Sequence, residues 1–267
     1  MEMKLRLTFI RFLLGLLTML PAPASAERVH IKFEKCPDDP NWFGTVEQVF
    51  NEFGHLSDIL FDFPHGLRVS FRKLNQPNAF YSQGDHSILL GRELVLQAKD
   101  FFVSSGYSER EAVRRAIDVL VYVYLHELGH AAISELRIPV VGREEDAVDE
   151  FAAMLFVSAG KGDYAVAAAD YYGIRAENYK QDFFSDTHSL DPQRFANIYA
   201  LMYGSDPETF VFVKDMIPAE RYTRAAFDFQ KKWTSWRSLL RPYLRYDAFA
   251  KKPAHMTLEL SPRTRRF

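Results

Sequence analysis

Two histidines four residues apart, the first followed directly by a glutamate, stand near the middle of the chain: His126-Glu127-Leu128-Gly129-His130. On a helix, positions i and i+4 project from one face about one turn apart. Two imidazoles so placed can fill two corners of a tetrahedral zinc site. The glutamate beside the first can then act as general base, taking a proton from a water that the metal activates. At this chain's histidine and glutamate frequencies the five-residue pattern arises by accident in about one chain in a hundred. Val119, Tyr122, Val123 and Ile133 share the histidine face, so both imidazoles are expected to be buried, and buried imidazoles need partners. Gly129 costs about 1 kcal/mol relative to alanine inside a helix, which predicts that another backbone passes close by.

Catalytic zinc takes three protein ligands and keeps one position for water. Cys36 is the only cysteine, so the remaining ligand must be a carboxylate or histidine. The next helix offers Arg143-Glu144-Glu145-Asp146-Ala147-Val148-Asp149-Glu150. Acidic residues at a helix start are favoured by the helix dipole without any metal. Helical phase refines the choice. Val148, Phe151, Ala152 and Leu155 mark the inward face, Glu145 and Asp149 border it, and Asp146 and Glu150 point away. Glu145 and Asp149 are also i and i+4, so one can bind metal while the other hydrogen-bonds a ligand histidine from behind. Glu144 falls on the inward side but has no acidic residue four positions on. Glu145 is therefore the preferred third ligand, Glu144 the alternative, and Asp149 the supporting carboxylate.

The elements that must position these groups follow from periodicity. Val29 to Phe33 alternates like a strand, and Trp42 to Phe53 has helical spacing. Leu67 to Phe71, Asn78 to Tyr81 and Ser87 to Leu90 read as strands, with Gly84-Asp85 as a weak hairpin signal between the last two. From Glu93 onward the chain is helical. Ser108 with Glu111 is a capping box for the motif helix, whose apolar run extends through Ile133. Arg143 to Val157 is the next helix, Gly160 to Gly162 a break, and Tyr164 to Tyr172 the start of a third. Asp191 can cap another, with Pro192 in its first turn and Gly204 just past its end. Thr223 to Leu240 reads as a last amphipathic helix, and Tyr171-Tyr172, Trp233 and Trp236 fit core positions. A small mixed β-sheet followed by a helical body is an α+β fold.

The bulk properties are those of an ordinary globular protein. The chain has 267 residues, 48% hydrophobic and 25% charged, and a formal net charge of −2. That balance argues against nucleic acid as a partner. Residues 1–26 differ from the rest: Lys4 and Arg6, an apolar stretch from Phe12 to Leu20, then Pro21-Ala22-Pro23-Ala24-Ser25-Ala26. This is the layout of a cleavable signal peptide, with Arg11 leaving the apolar run short of the ~20 residues a span needs. The expectation is an exported chain, periplasmic or secreted, with residues 27–267 as one metallopeptidase-like domain and no stable membrane span. Histidines 30, 55, 65, 86 and 255 are scattered without ligand spacing.

The motif followed by Glu145 and Asp149 resembles the gluzincin metallopeptidases, where a Glu-x-x-x-Asp on a second helix completes the zinc site. More closely, the chain is similar to the DUF4344 family of bacterial metallopeptidases. The likeness includes Asn78-Ala79-Phe80-Tyr81 with Ile88 to Leu94, the helix pair around the motif, and His188-Ser189-Leu190-Asp191-Pro192-Gln193-Arg194-Phe195 with Tyr203-Gly204-Ser205-Asp206. Gly91, Ala200 and Phe227 occupy places where relatives carry cysteines, so a disulfide is not implied here. The resemblance implies a Zn2+-dependent peptidase fold, with a sheet edge beside the motif helix binding the substrate backbone. Ser87 to Leu90 is the candidate edge. It also implies a donor for the oxyanion of the tetrahedral intermediate, for which His188 is the first candidate, ahead of Arg194 and Tyr199. A peptide or protein is the expected substrate. The competing reading is a catalytically silent, zinc-stabilised module that binds peptides or proteins. Glu127 argues against it, since a structural site has no use for that carboxylate.

Overall fold

A computed structural model describes residues 28–178 and 190–244. The expected signal peptide and His188 lie outside the described residues. The architecture is α+β, a small mixed sheet followed by a helical body.

Strands β1 (Val29–Phe33), β2 (Leu67–Arg72), β3 (Ala79–Ser82) and β4 (Ser87–Gly91) form one sheet in the order β1-β2-β4-β3. β1, β2 and β4 are parallel, and β3 pairs antiparallel with β4. Register and alternation put Ile31, Val69, Ile88 and Tyr81 in one row of a single face, and Phe33, Phe71, Leu90 and Ala79 in the next. This is the core face, where Val69, Ile88 and Leu90 are wholly buried. Helix α1 (Phe43–Leu60) packs here, longer than its spacing predicts. Its Phe50 meets Phe33 and Phe71 of the sheet and Tyr124 of the motif helix.

The sheet order corrects one expectation. Ser87 to Leu90 is not an edge: β4 lies between β2 and β3, and every residue of it is buried. The outer edge on this side is β3. The chain leaves β2, passes over the place β4 will fill, and returns through the turn ending at His86, whose φ is +48°. Gly91 closes the hairpin, its N–H donating to the Asn78 carbonyl at 2.9 Å. A Cβ on Gly91 would meet that carbonyl oxygen at 2.8 Å, so a side chain here would require the hairpin backbone to shift.

The helical body comprises α2 (Arg92–Ser104), α3 (Glu109–Glu135), α4 (Glu144–Ser158), α5 (Gly162–Asn178), α6 (Asp191–Ser205), a 3-10 turn (Val211–Asp215), α7 (Ala219–Tyr222) and α8 (Ala225–Leu240). The expected last helix is present, starting at Ala225 and ending at Leu240. Gly204 lies inside α6 rather than past its end, because α8 starts against it: an added Cβ would sit 2.3 Å from the Ala225 carbonyl oxygen. Asp191 is the first residue of α6 and its side chain pairs with Arg175 instead of capping. Tyr171, Tyr172, Trp233 and Trp236 are buried as expected.

Helix α3 begins as its sequence dictates, with the Ser108 hydroxyl accepting from the Glu111 N–H at 3.3 Å. All residues from Ala116 to Gly129 are buried, which a helix achieves only when surrounded by other elements. It is long and apolar enough to cross a bilayer, yet 89% of its most apolar window is buried inside the protein. Its apolar surface is taken up by α1, α2, α4, α5 and the sheet.

At Gly129 the side chains of α4 press against the motif helix. A Cβ there would lie 2.9 Å from Val148 Cβ and 3.0 Å from Phe151 Cδ1. The neighbour is therefore a pair of side chains rather than the backbone expected. Val148 is β-branched and wholly buried, so it cannot move aside cheaply. Gly129→Ala is predicted to lower the melting temperature, the overpacking of about 1–3 kcal/mol exceeding the ~1 kcal/mol gain in helix propensity. A raised melting temperature would contradict this reading of the helix contact.

Candidate metal centre

The α3–α4 contact brings the motif and the acidic helix start together. The His126 and His130 rings lie with centroids 5.0 Å apart at 78°. Glu145 Oε2 is 3.2 Å from His126 Nε2 and 3.5 Å from His130 Nε2. Among the described residues, His126, His130 and Glu145 form a group in which one ligand atom from each lies within 4.8 Å of the others.

The far edge of each ring is also held. His126 Nδ1 is 2.8 Å from Asp149 Oδ1, and His130 Nδ1 is 2.7 Å from Glu144 Oε1. With the proton on Nδ1, each ring donates to its carboxylate and turns the Nε2 lone pair toward Glu145. Three electron-pair donors then face one another, an arrangement that repels itself unless a cation sits among them. Two imidazole nitrogens and one carboxylate oxygen are a donor set suited to zinc. The residues present therefore fit the metal.

The two acidic candidates separate by what they touch. Glu145 faces both Nε2 atoms, whereas Glu144, with 48% of its side chain exposed, faces Nδ1 of His130. Both histidines thus have a carboxylate behind them, a symmetry that periodicity does not reveal, since Glu144 reaches across from the first residue of α4. One expectation changes here. His126 is buried, but His130 is only partly so, although Ala131, Ala132 and Ile133 after it are buried again. That leaves one side of the pair open to solvent. Glu127 is itself buried at 6% exposure, and its carboxylate is close enough to help raise the His130 pKa.

Asp149 continues inward. Its two oxygens accept from Arg194 Nε and a terminal guanidinium nitrogen, both at 2.7 Å, and its backbone carbonyl accepts from the Tyr122 hydroxyl at 3.0 Å. Burial alone would raise the Asp149 pKa, but Arg194 and then His126 hold it well below the usual carboxylate range. Arg194 therefore stands on the Nδ1 side of His126, with two of its nitrogens bonded to Asp149. Tyr199 likewise donates to Asp170.

The family model described as "Putative metallopeptidase" (DUF4344) matches residues 41–240. The chain belongs to this metallopeptidase family. The matched span includes β2 to β4 and both helices of the candidate centre. No curated protein and no solved structure matches the chain.

Without metal, the site holds protons. Burial works against a charged His126, but the Asp149 charge and hydrogen bond, with Glu145, push its pKa up to about 9. His130 is raised as well: burial opposes the charge, and Glu145 and Glu144 outweigh it. A metal ion must displace these protons, so its affinity must climb with pH while the histidines remain protonated. Zinc affinity measured by chelator competition is predicted to rise between about pH 6 and 9, roughly tenfold per unit for each proton displaced. An affinity flat over that range would contradict the assignment of the two histidines.

Proposed function

We propose that this family member is an exported zinc metallopeptidase that hydrolyses peptide bonds, with His126, His130 and Glu145 holding the metal. The observation that carries the reading is the convergence of both Nε2 atoms and the Glu145 carboxylate, with Glu127 next to the first ligand. Three protein donors leave a zinc ion one position for a reactant, which is what a catalytic site requires. Zinc bound there supplies a Lewis acid that polarises the scissile carbonyl and makes water acidic. Glu127 acts as general base: it accepts a proton from the attacking water and passes it to the leaving nitrogen. Asp149 and Glu144 keep the two imidazoles turned to the metal.

The substrate backbone is proposed to lie extended along β3. This strand is the sheet edge on the side of α3, and its Tyr81 hydroxyl is tied to Glu135, the last residue of α3, at 2.5 Å. A peptide added as a further strand would run past the end of the motif helix. The signal-like residues 1–26 support action outside the cytoplasm. Oxyanion stabilisation is proposed for His188 in the sequence pattern, a residue outside the described ones.

Digestion of a broad peptide library by the purified protein, beside Glu127→Gln, tests the mechanism. Cleavage is predicted to fall by about 10²–10⁴-fold in the variant while zinc stays near one per chain. Equal cleavage by both proteins would remove Glu127 from the chemistry. Zinc bound by a wild type that cleaves nothing would favour the silent binding module.

A further inference from the structure

Arg194 is a buried cation, 6% exposed, on a helix distant in sequence from both metal-bearing helices. Its planar guanidinium grips both oxygens of Asp149, at 2.7 Å each. One of those oxygens, Oδ1, is the atom 2.8 Å from His126 Nδ1. A terminal nitrogen of Arg194 is itself 3.4 Å from His126 Nδ1. The guanidinium also lies over Tyr172 of α5, with Cζ 3.9 Å from the ring centre. Tyr172 is 2% exposed, so the platform under the cation is fixed.

Burying a guanidinium is costly, and apolar side chains of similar volume would join these helices as well or better. What they could not do is fix the plane of the Asp149 carboxylate. A two-pronged donor prevents that group from rotating and points Oδ1 at the imidazole. The two histidines are thus supported unequally. His126 has a carboxylate locked from behind, whereas the partner of His130, Glu144, is exposed to solvent at 48%.

We propose that Arg194 is a positioning residue of the metal centre, holding His126 through Asp149 so that Nε2 faces the metal. This rests on the metal-centre reading above. Its consequence is that the Arg194–Asp149 contact and the occupancy of the metal site favour each other. Arg175 provides the internal comparison. It also joins α5 to α6, pairing with Asp191 at 2.5 and 2.7 Å and lying over Tyr171 and Tyr172, but its hydrogen bonds go to Asp191 and not to Asp149.

The test measures zinc affinity by chelator competition, and the visible absorption spectrum of the cobalt-loaded protein, for the full chain and for Arg194→Met, Arg194→Lys and Arg175→Met. Arg194→Met is predicted to bind zinc about 10–100-fold more weakly with its helical content retained and its cobalt bands altered. Arg194→Lys, which keeps the charge without the fork, is predicted to fall between it and the wild type. Arg175→Met is predicted to melt earlier yet keep wild-type affinity and spectrum. Wild-type affinity and spectrum in Arg194→Met would overturn the proposal, as would equal weakening by Arg175→Met. Should Arg194→Met not fold, wild-type affinity and spectrum in Arg194→Lys would overturn it equally. Failure of the wild type to take up zinc or cobalt would instead remove the metal centre itself.

Discussion

The close approach of α3 and α4 at Gly129 is the contact on which the candidate centre depends. It lets Val148 and Phe151 press against the motif helix where a side chain would hold them off. Because Val148 is fixed there, the residues on either side of it along α4 take fixed places. Glu145, one turn earlier, comes to the Nε2 side of both histidines, and Asp149, the next residue, to the Nδ1 side of His126. One helix thus offers a carboxylate on each side of the same imidazole. A shift of one residue in the pairing of the helices would undo both placements together.

Around that contact the polar groups are arranged in alternating charge. His126, Asp149 and Arg194 follow one another into the core, and Arg194 ends on the face of Tyr172. Each buried charge meets its opposite, which is the condition for keeping any of them in a low-dielectric interior. The Tyr122 hydroxyl adds a bond to the Asp149 carbonyl, so α3 and α4 are joined by backbone as well as side chains. The outer half of the centre is different in kind. His130 is partly exposed and Glu144 about half exposed, and it is from that side that the proposed substrate would enter.

Much of this was legible in the sequence, and the reasons are local. Helical phase puts His126 with His130, and Glu145 with Asp149, because the 3.6-residue repeat is fixed by backbone geometry. Ser108 marks the start of α3 through a bond made within three residues. What escaped depends on contacts between distant segments. The order of β3 and β4 is one case, although the unbroken apolar run Ile88-Leu89-Leu90 is the pattern of a strand covered on both faces, and β3 lacks it. Arg194 is another: nothing in its own helix says that it forks Asp149, 45 residues away. Glu144 escaped because its role follows from where α4 begins, a boundary that sequence fixes only to within a residue or two.

The most direct measurement of the central claim is a crystal structure of the zinc-loaded protein with anomalous data collected at the zinc edge. The account predicts one strong peak between α3 and α4, bound by His126 Nε2, His130 Nε2 and a Glu145 oxygen at roughly 2.0–2.2 Å. Asp149 should remain behind His126, and Glu144 behind His130. A peak bound by Glu144 in place of Glu145, or no peak between these helices in a protein that binds zinc, would contradict it.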